Sequence, residues 1–315
     1  MAYTTRSVVD ACSDLKSRSH IARDFIVNRV LRVVPLYWLA TAWAARSVYP
    51  HLAIADVLKD FAFIPRLGTP WAIYPVLVQG WTLNYEMFFY LLFAASLLTG
   101  RYCRELLIGA IVTLVAIGTV WTFHLGILAS DASTRWYGDA HGGLLVLPWF
   151  YTNNIMLEFC FGIALEALCH RHAFPDWARW RYCLLWLAGF AGLAVLHLHW
   201  PRGLLQGVPA TLIVWCSIPA CRGLQLRIPV LLGNASYAIY LFHWTGFAAL
   251  KPWVGHLGAV GGSLPEMVAV MIALGLAACL LGVALHLWVE KPITRWLKLH
   301  FGRRPSADSL PGASP

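Results

Sequence analysis

The sequence predicts an all-α fold: a polytopic bundle of about eight transmembrane helices with both termini cytoplasmic. Three observations carry this. Of 315 residues, 59% are hydrophobic and 12% charged, whereas soluble domains run nearer a quarter charged, and the mean hydropathy is +0.63. The apolar residues gather into eight runs, most near the ~20 residues that cross a ~30 Å hydrocarbon core. The basic residues lie mainly between those runs and favour one side of the bilayer.

In chain order, residues 1–32 form a basic, polar segment ending in Arg29-Val-Leu-Arg32. It has no apolar stretch of signal-peptide type. The first run, Val33–Tyr49, opens with Pro35, which the first turn of a helix tolerates. After an aromatic, proline-rich loop, the second run spans Pro75–Leu98 and the third Glu105–Leu128. A polar loop with Asp131, Arg135 and Asp139 precedes the fourth, Leu147–Cys169, which carries Asn153, Asn154 and Glu158. The fifth (Tyr182–Trp200), sixth (Leu204–Ala220), seventh (Val230–Leu250) and eighth (Pro265–Val289) follow, and the eighth ends at Glu290-Lys-Pro292. A Pro/Ser/Gly-rich tail over 301–315 is expected to be disordered. The domain division is therefore a cytoplasmic segment (1–32), a transmembrane domain (33–300) and the tail (301–315).

With the N-terminus inside, the inner loops and termini hold 18 of the 24 lysines and arginines. That asymmetry fixes the orientation and accounts for the net charge of +9 without nucleic acid. The sixteen tryptophans and twelve tyrosines suit aromatic belts at two interfaces. Eight scattered cysteines form no CxxC pair and no zinc spacing, and are expected to be free thiols. No metal is expected.

Four places hold polar groups that spanning does not require. Arg29 and Arg32, three apart, share a helix side and can fork onto phosphate oxygens, although a basic flank on lipid head groups explains them too. In Gln79–Leu92, Glu86 lies in an apolar run, where a carboxylate costs a few kcal/mol unless it meets a partner or a polar cavity. Tyr90, four residues on, can hydrogen-bond it, and Trp81, Tyr85 and Phe88 share a neighbouring face. In Asn234–His243, residues Ser236, Tyr240 and His243 share a face, with a structural His–Tyr hydrogen bond as the alternative to an acid/base role. Counted along the runs, His243 lies roughly 20 Å from the inner end of its span and Glu86 roughly 16 Å from the outer end of its own. The two are thus expected at similar depth. Last, Glu290-Lys-Pro292 reads as a charged helix end stopped by proline. His141, His197, His199 and His256 read as interfacial or solvated.

Four stretches together resemble the acyltransferase family 3 membrane proteins, most closely their exopolysaccharide-production branch: FIVNRVLRVVPLYWLAT (25–41), QGWTLNYEMFFYLLF (79–93), NASYAIYLFHW (234–244) and VEKPITRW (289–296). The resemblance implies a membrane O-acyltransferase that moves an acyl group, commonly acetyl, from cytoplasmic acyl-CoA to a sugar hydroxyl of a surface glycan. The family's Arg-x-x-Arg motif falls on Arg29 and Arg32, which by the resemblance bind the acyl donor. Its Trp-(Ser/Thr)-Leu-x-x-Glu motif falls on Trp81, Thr82, Leu83 and Glu86. Its Ser-Tyr-x-x-Tyr-Leu-x-His motif falls on Ser236, Tyr237, Tyr240, Leu241 and His243. Glu86 and His243 are accordingly the candidate catalytic residues, and Trp81, Asn84, Tyr85, Ser236, Tyr237 and Tyr240 the candidate substrate-binding residues. No cofactor is expected to stay bound. Acyl-CoA (acetyl-CoA) is a co-substrate, the acceptor is a glycan or lipid-linked saccharide, and the setting is a multi-pass protein among the lipids of the inner (plasma) membrane.

One departure stands out. The family's first helix carries an Arg or Lys followed eleven positions later by a histidine held to be essential, and no position here inherits that role. His20 lies in the basic segment. The expectation is a chain truncated by a misassigned start, lacking the family's first two helices. Two other readings stay open: a transporter or glycan-export component whose Glu86, Glu158 and His243 line a path, and an inactive acyltransferase remnant.

Overall fold

A computed structural model describes residues 15–49, 51–65, 75–122, 146–171, 174–199, 204–224, 227–256 and 263–301. Those residues are helical throughout, with short turns and no strand. The helices are α1 (Leu15–Ser47), α2 (Ile54–Phe61), α3 (Gly80–Leu97), α4 (Cys103–Thr122), α5 (Val146–Tyr151), α6 (Leu157–Arg171), α7 (Arg179–His199), α8 (Leu204–Ala220), α9 (Arg227–His256), α10 (Leu264–Leu285) and α11 (Lys291–Phe301). Two 3₁₀ turns, Gly100–Tyr102 and Asn154–Met156, and a π turn, His286–Glu290, interrupt them. In hydrocarbon every backbone N–H and C=O must be satisfied within the segment, which helices alone achieve here.

Among the described residues, three helical stretches are long and apolar enough to cross a membrane: Leu15–Ser47, Gly100–Val120 and Pro265–Phe301. On α10, Met271 and Leu280 are 71% and 72% exposed. Side chains so apolar and so bare belong against lipid.

The chain divides into two compact units. The first comprises 1–21, 58–75 and 80–226, and the second 22–57, 76–79 and 227–315. In the first unit α7 and α8 pair closely, α8 also meets α6, and α4 touches α3 and α6. The α7–α8 hairpin is tied by Trp186 Nε1 donating to Ser217 Oγ (3.1 Å) and by Arg179 donating to the Arg222 carbonyl (3.2 Å). In the second unit α9 and α10 pair over their length, and the π turn rests on α9. A Cβ on Gly282 would lie 2.6 Å from the Ile239 Cα. Only glycine permits that approach, the small-residue contact by which helices pack where water gives no drive.

Four expectations change. The first helix starts at Leu15, eighteen residues before Val33, so Pro35 lies in a helix interior. It removes one N–H from the ladder there instead of opening the helix. The helix of the second run, α3, begins at Gly80, not Pro75. Glu86 therefore lies only about 9 Å along α3 at 1.5 Å per residue, and the depth counted from Pro75 does not hold. The fourth run is two helices: Asn153 is extended (φ −68°, ψ 146°) and its side chain accepts the Ile155 N–H at 3.1 Å, capping a fresh start. An asparagine that satisfies a backbone donor locally competes with helix continuation. Finally, Pro292 does not end the helical path. The Lys291 N–H bonds the His286 carbonyl in the π pattern, and Pro292 sits second in α11, where a missing N–H costs little. The expectations on Asp131, Arg135, Asp139, His141 and the tail from residue 302 fall outside the described residues.

Candidate active site

The first unit holds the Glu86 cluster. Glu86 is half-buried on α3, and the Tyr90 hydroxyl, one turn on and 3% exposed, donates to its Oε1. The i, i+4 spacing makes this pairing, as the sequence implied. On the adjacent face Trp81 meets Tyr85 edge-on at 6.1 Å. Tyr85 stacks on Phe150 at 4.0 Å and 15°, and Phe88 lies 4.3 Å from Tyr151. Phe89 stacks on Phe159 of α6 at 4.2 Å. The aromatic rings thus hold α3 against the broken α5–α6 segment, and the Tyr151 hydroxyl donates to the Phe63 carbonyl at 3.3 Å. Asn84 is 3% exposed, and its Oδ1 has no hydrogen-bond partner among the described residues. A buried amide oxygen in that state costs about 1–3 kcal/mol. Asn153 and Asn154 are buried at the break, and Glu158 follows in the first turn of α6.

The second unit holds the His243 cluster on α9. His243 is half-buried, and its Nδ1 lies 2.7 Å from the Tyr240 main-chain carbonyl. The expected structural His–Tyr hydrogen bond is thus present, made to the main chain: the two rings are 6.0 Å apart, and the Tyr240 hydroxyl donates to the Gln79 carbonyl at 2.8 Å. A carbonyl only accepts, so Nδ1 carries the hydrogen and neutral His243 keeps its lone pair on Nε2. The Tyr237 hydroxyl donates to the Val33 carbonyl at 2.8 Å, joining α9 to the α1 turn that follows Arg32. Both motif tyrosines thus bind backbone. Ser236, on the same helix, is exposed.

Arg29 and Arg32 belong to this unit too. Arg29 is half-buried with its guanidinium 5.4 Å from the Phe25 ring centroid, one turn back, while Arg32 is exposed. An Arg held over an aromatic face is less free to rotate. Glu86 belongs to the first unit and His243 to the second.

One group escaped the sequence reading, and a second, Glu290, was read there only as a charged helix end. Gln79, 6% exposed, donates through Nε2 to the Leu241 and Tyr240 carbonyls at 2.8 and 3.2 Å. Its only signal in the sequence was a place beside Gly80-Trp81. Glu290 is 6% exposed and pairs with His286 Nδ1 at 2.8 Å inside the π turn, so it is a buried carboxylate and not a solvated helix end. The four-residue spacing of His286 and Glu290 was the legible sign. The seven cysteines among the described residues are free thiols.

The acyltransferase family 3 model, described as "Acyltransferase domain", matches residues 11–288. The exopolysaccharide production protein ExoZ of Rhizobium meliloti (strain 1021) is 34% identical over 291 residues, covering 88% of this chain and 83% of the relative. No solved structure matches. A match over this much of the chain, with the motif residues in order, places the protein in acyltransferase family 3, a family of membrane proteins.

Proposed function

We propose that this protein is an inner-membrane, multi-pass O-acyltransferase that moves an acyl group, acetyl in the simplest case, from acyl-CoA to a sugar hydroxyl of an exopolysaccharide or its lipid-linked precursor. The observation that carries this reading is family membership over residues 11–288, with ExoZ, an exopolysaccharide production protein, as a relative. The His243 geometry supports it independently, because a base for this reaction needs a free lone pair near its donor-fixed ring.

In the proposed reaction, Arg29 and Arg32 hold phosphate oxygens of the donor through charge-assisted hydrogen bonds. His243 Nε2 takes the proton of the acceptor hydroxyl as its oxygen attacks the thioester carbonyl. The C–S bond then breaks, the thiolate leaves, and the proton returns from His243 to the sulfur. Ester and free thiol are the products. Glu86, fixed by Tyr90, is the required carboxylate, and substrate binding is assigned to Trp81, Asn84 and Tyr85 in the first unit and to Ser236, Tyr237 and Tyr240 in the second.

The test is label transfer. Membranes containing the protein and supplied with acetyl-CoA labelled in the acetyl group should pass label to polysaccharide, and His243→Gln and Arg29→Ala membranes should not. Export of unlabelled polysaccharide that depends on the protein would favour the transport reading instead.

A further inference from the structure

Gln79 stands outside the proposed reaction, yet its side chain bonds the helix turn that carries His243. It lies in the short non-helical stretch before α3 and is buried. Its Nε2 reaches two consecutive carbonyls of α9, Leu241 at 2.8 Å and Tyr240 at 3.2 Å. The Tyr240 hydroxyl returns a bond to the Gln79 carbonyl at 2.8 Å. The exchange is reciprocal: each residue donates from its side chain to the other's backbone. The carbonyl at its centre, that of Tyr240, is also the one that accepts His243 Nδ1–H at 2.7 Å.

We propose that Gln79 is a positioning residue for acyl transfer: by clamping the 240–241 turn of α9 it holds the Tyr240 carbonyl where that carbonyl fixes the His243 ring, leaving Nε2 as the proton acceptor. This rests on the reading of His243 as the base. A primary amide suits the task because one nitrogen carries two N–H donors and can serve two adjacent carbonyls. Leucine has the bulk and no donor. A glutamate donates only when protonated, and as an anion it repels both carbonyl oxygens. Orientation of a proton-transfer group matters steeply, since small misplacement at the reacting atom costs orders of magnitude in rate.

The experiment uses full-length protein in nanodiscs, with initial rates measured against acetyl-CoA concentration and pH. Gln79→Leu should lower kcat tenfold or more while KM for the donor and the yield of folded protein stay near wild type. Gln79→Glu should recover toward wild-type rate as pH falls, because protonation restores one donor; this relative pH profile is one that a merely structural role would not produce. Wild-type kcat and pH profile in both variants would overturn the proposal. His243→Gln separates this from the parent reading: full activity there removes the base assignment, whatever Gln79 does. A second readout needs no turnover. In protein carrying ¹⁵N-histidine, the His243 signal, identified by its loss in His243→Gln, should report an unprotonated Nε2 in the neutral ring and move toward mixed tautomers in Gln79→Leu. An unchanged signal would also overturn the clamp.

Discussion

At the scale of residues, the chemistry lies in side chains whose local partners can be read one helical turn away. Tyr90 donates to Glu86, and that bond keeps a half-buried carboxylate in a defined direction in an apolar helix. Tyr90→Phe leaves the carboxylate without it. A loss of stability of about 1–3 kcal/mol is expected, and thermal unfolding in nanodiscs measures it. Glu86→Gln keeps the shape and an acceptor oxygen but removes the charge. It should abolish glycan acylation while expression and membrane insertion persist, and label transfer at wild-type rate would take Glu86 out of the mechanism. The Glu86–Tyr90 pair was legible because both partners lie in one helix. The unsatisfied Asn84 Oδ1 was not, because burial of a mid-helix amide depends on what other elements bring against it.

At the scale of elements, the sequence placed the apolar runs well where they are bounded by strong signals. The sixth run and α8 both span Leu204–Ala220, since Pro201-Arg-Gly203 marks one end and polar residues the other. Boundaries drifted where a polar segment continues a helix, as over Leu15–Arg32, or where an asparagine pair breaks one, as at Asn153–Asn154. Proline misled twice, at Pro35 and Pro292, because its cost depends on whether the missing N–H has an acceptor waiting. The α9–α10 pairing depends on Gly282 against the Ile239 backbone. Gly282→Val adds bulk where a single Cβ already meets main chain, so overpacking of about 1–3 kcal/mol is expected. It should appear as a lowered melting temperature and, because α9 carries His243, as a reduced transfer rate. Gly109→Ala has open space around its Cβ and serves as the control.

At the scale of the whole molecule, the charge distribution predicts topology. Eighteen of 24 basic residues fall in the regions assigned to the inner side. Tags at either terminus should therefore stay protected from membrane-impermeant reagents in intact cells and become reactive on lysis. A terminus labelled from outside would reverse the orientation, and with it the side from which Arg29 and Arg32 meet a donor. Composition, hydropathy and four motifs in register sufficed for the membrane class, the helical fold and the family, because each depends on local or one-dimensional patterns. What the tertiary structure alone decided is which polar groups meet across long stretches of chain. Gln79 reaches Tyr240 and Leu241 over 161 and 162 positions, and Tyr237 reaches Val33 over 204. Such bonds leave no periodic trace in the sequence, since a glutamine before a helix and a tyrosine within one look the same whether or not they meet. The His243–Tyr240 contact, by contrast, lies within one helix, and there the spacing leaves open only which Tyr240 oxygen the ring meets.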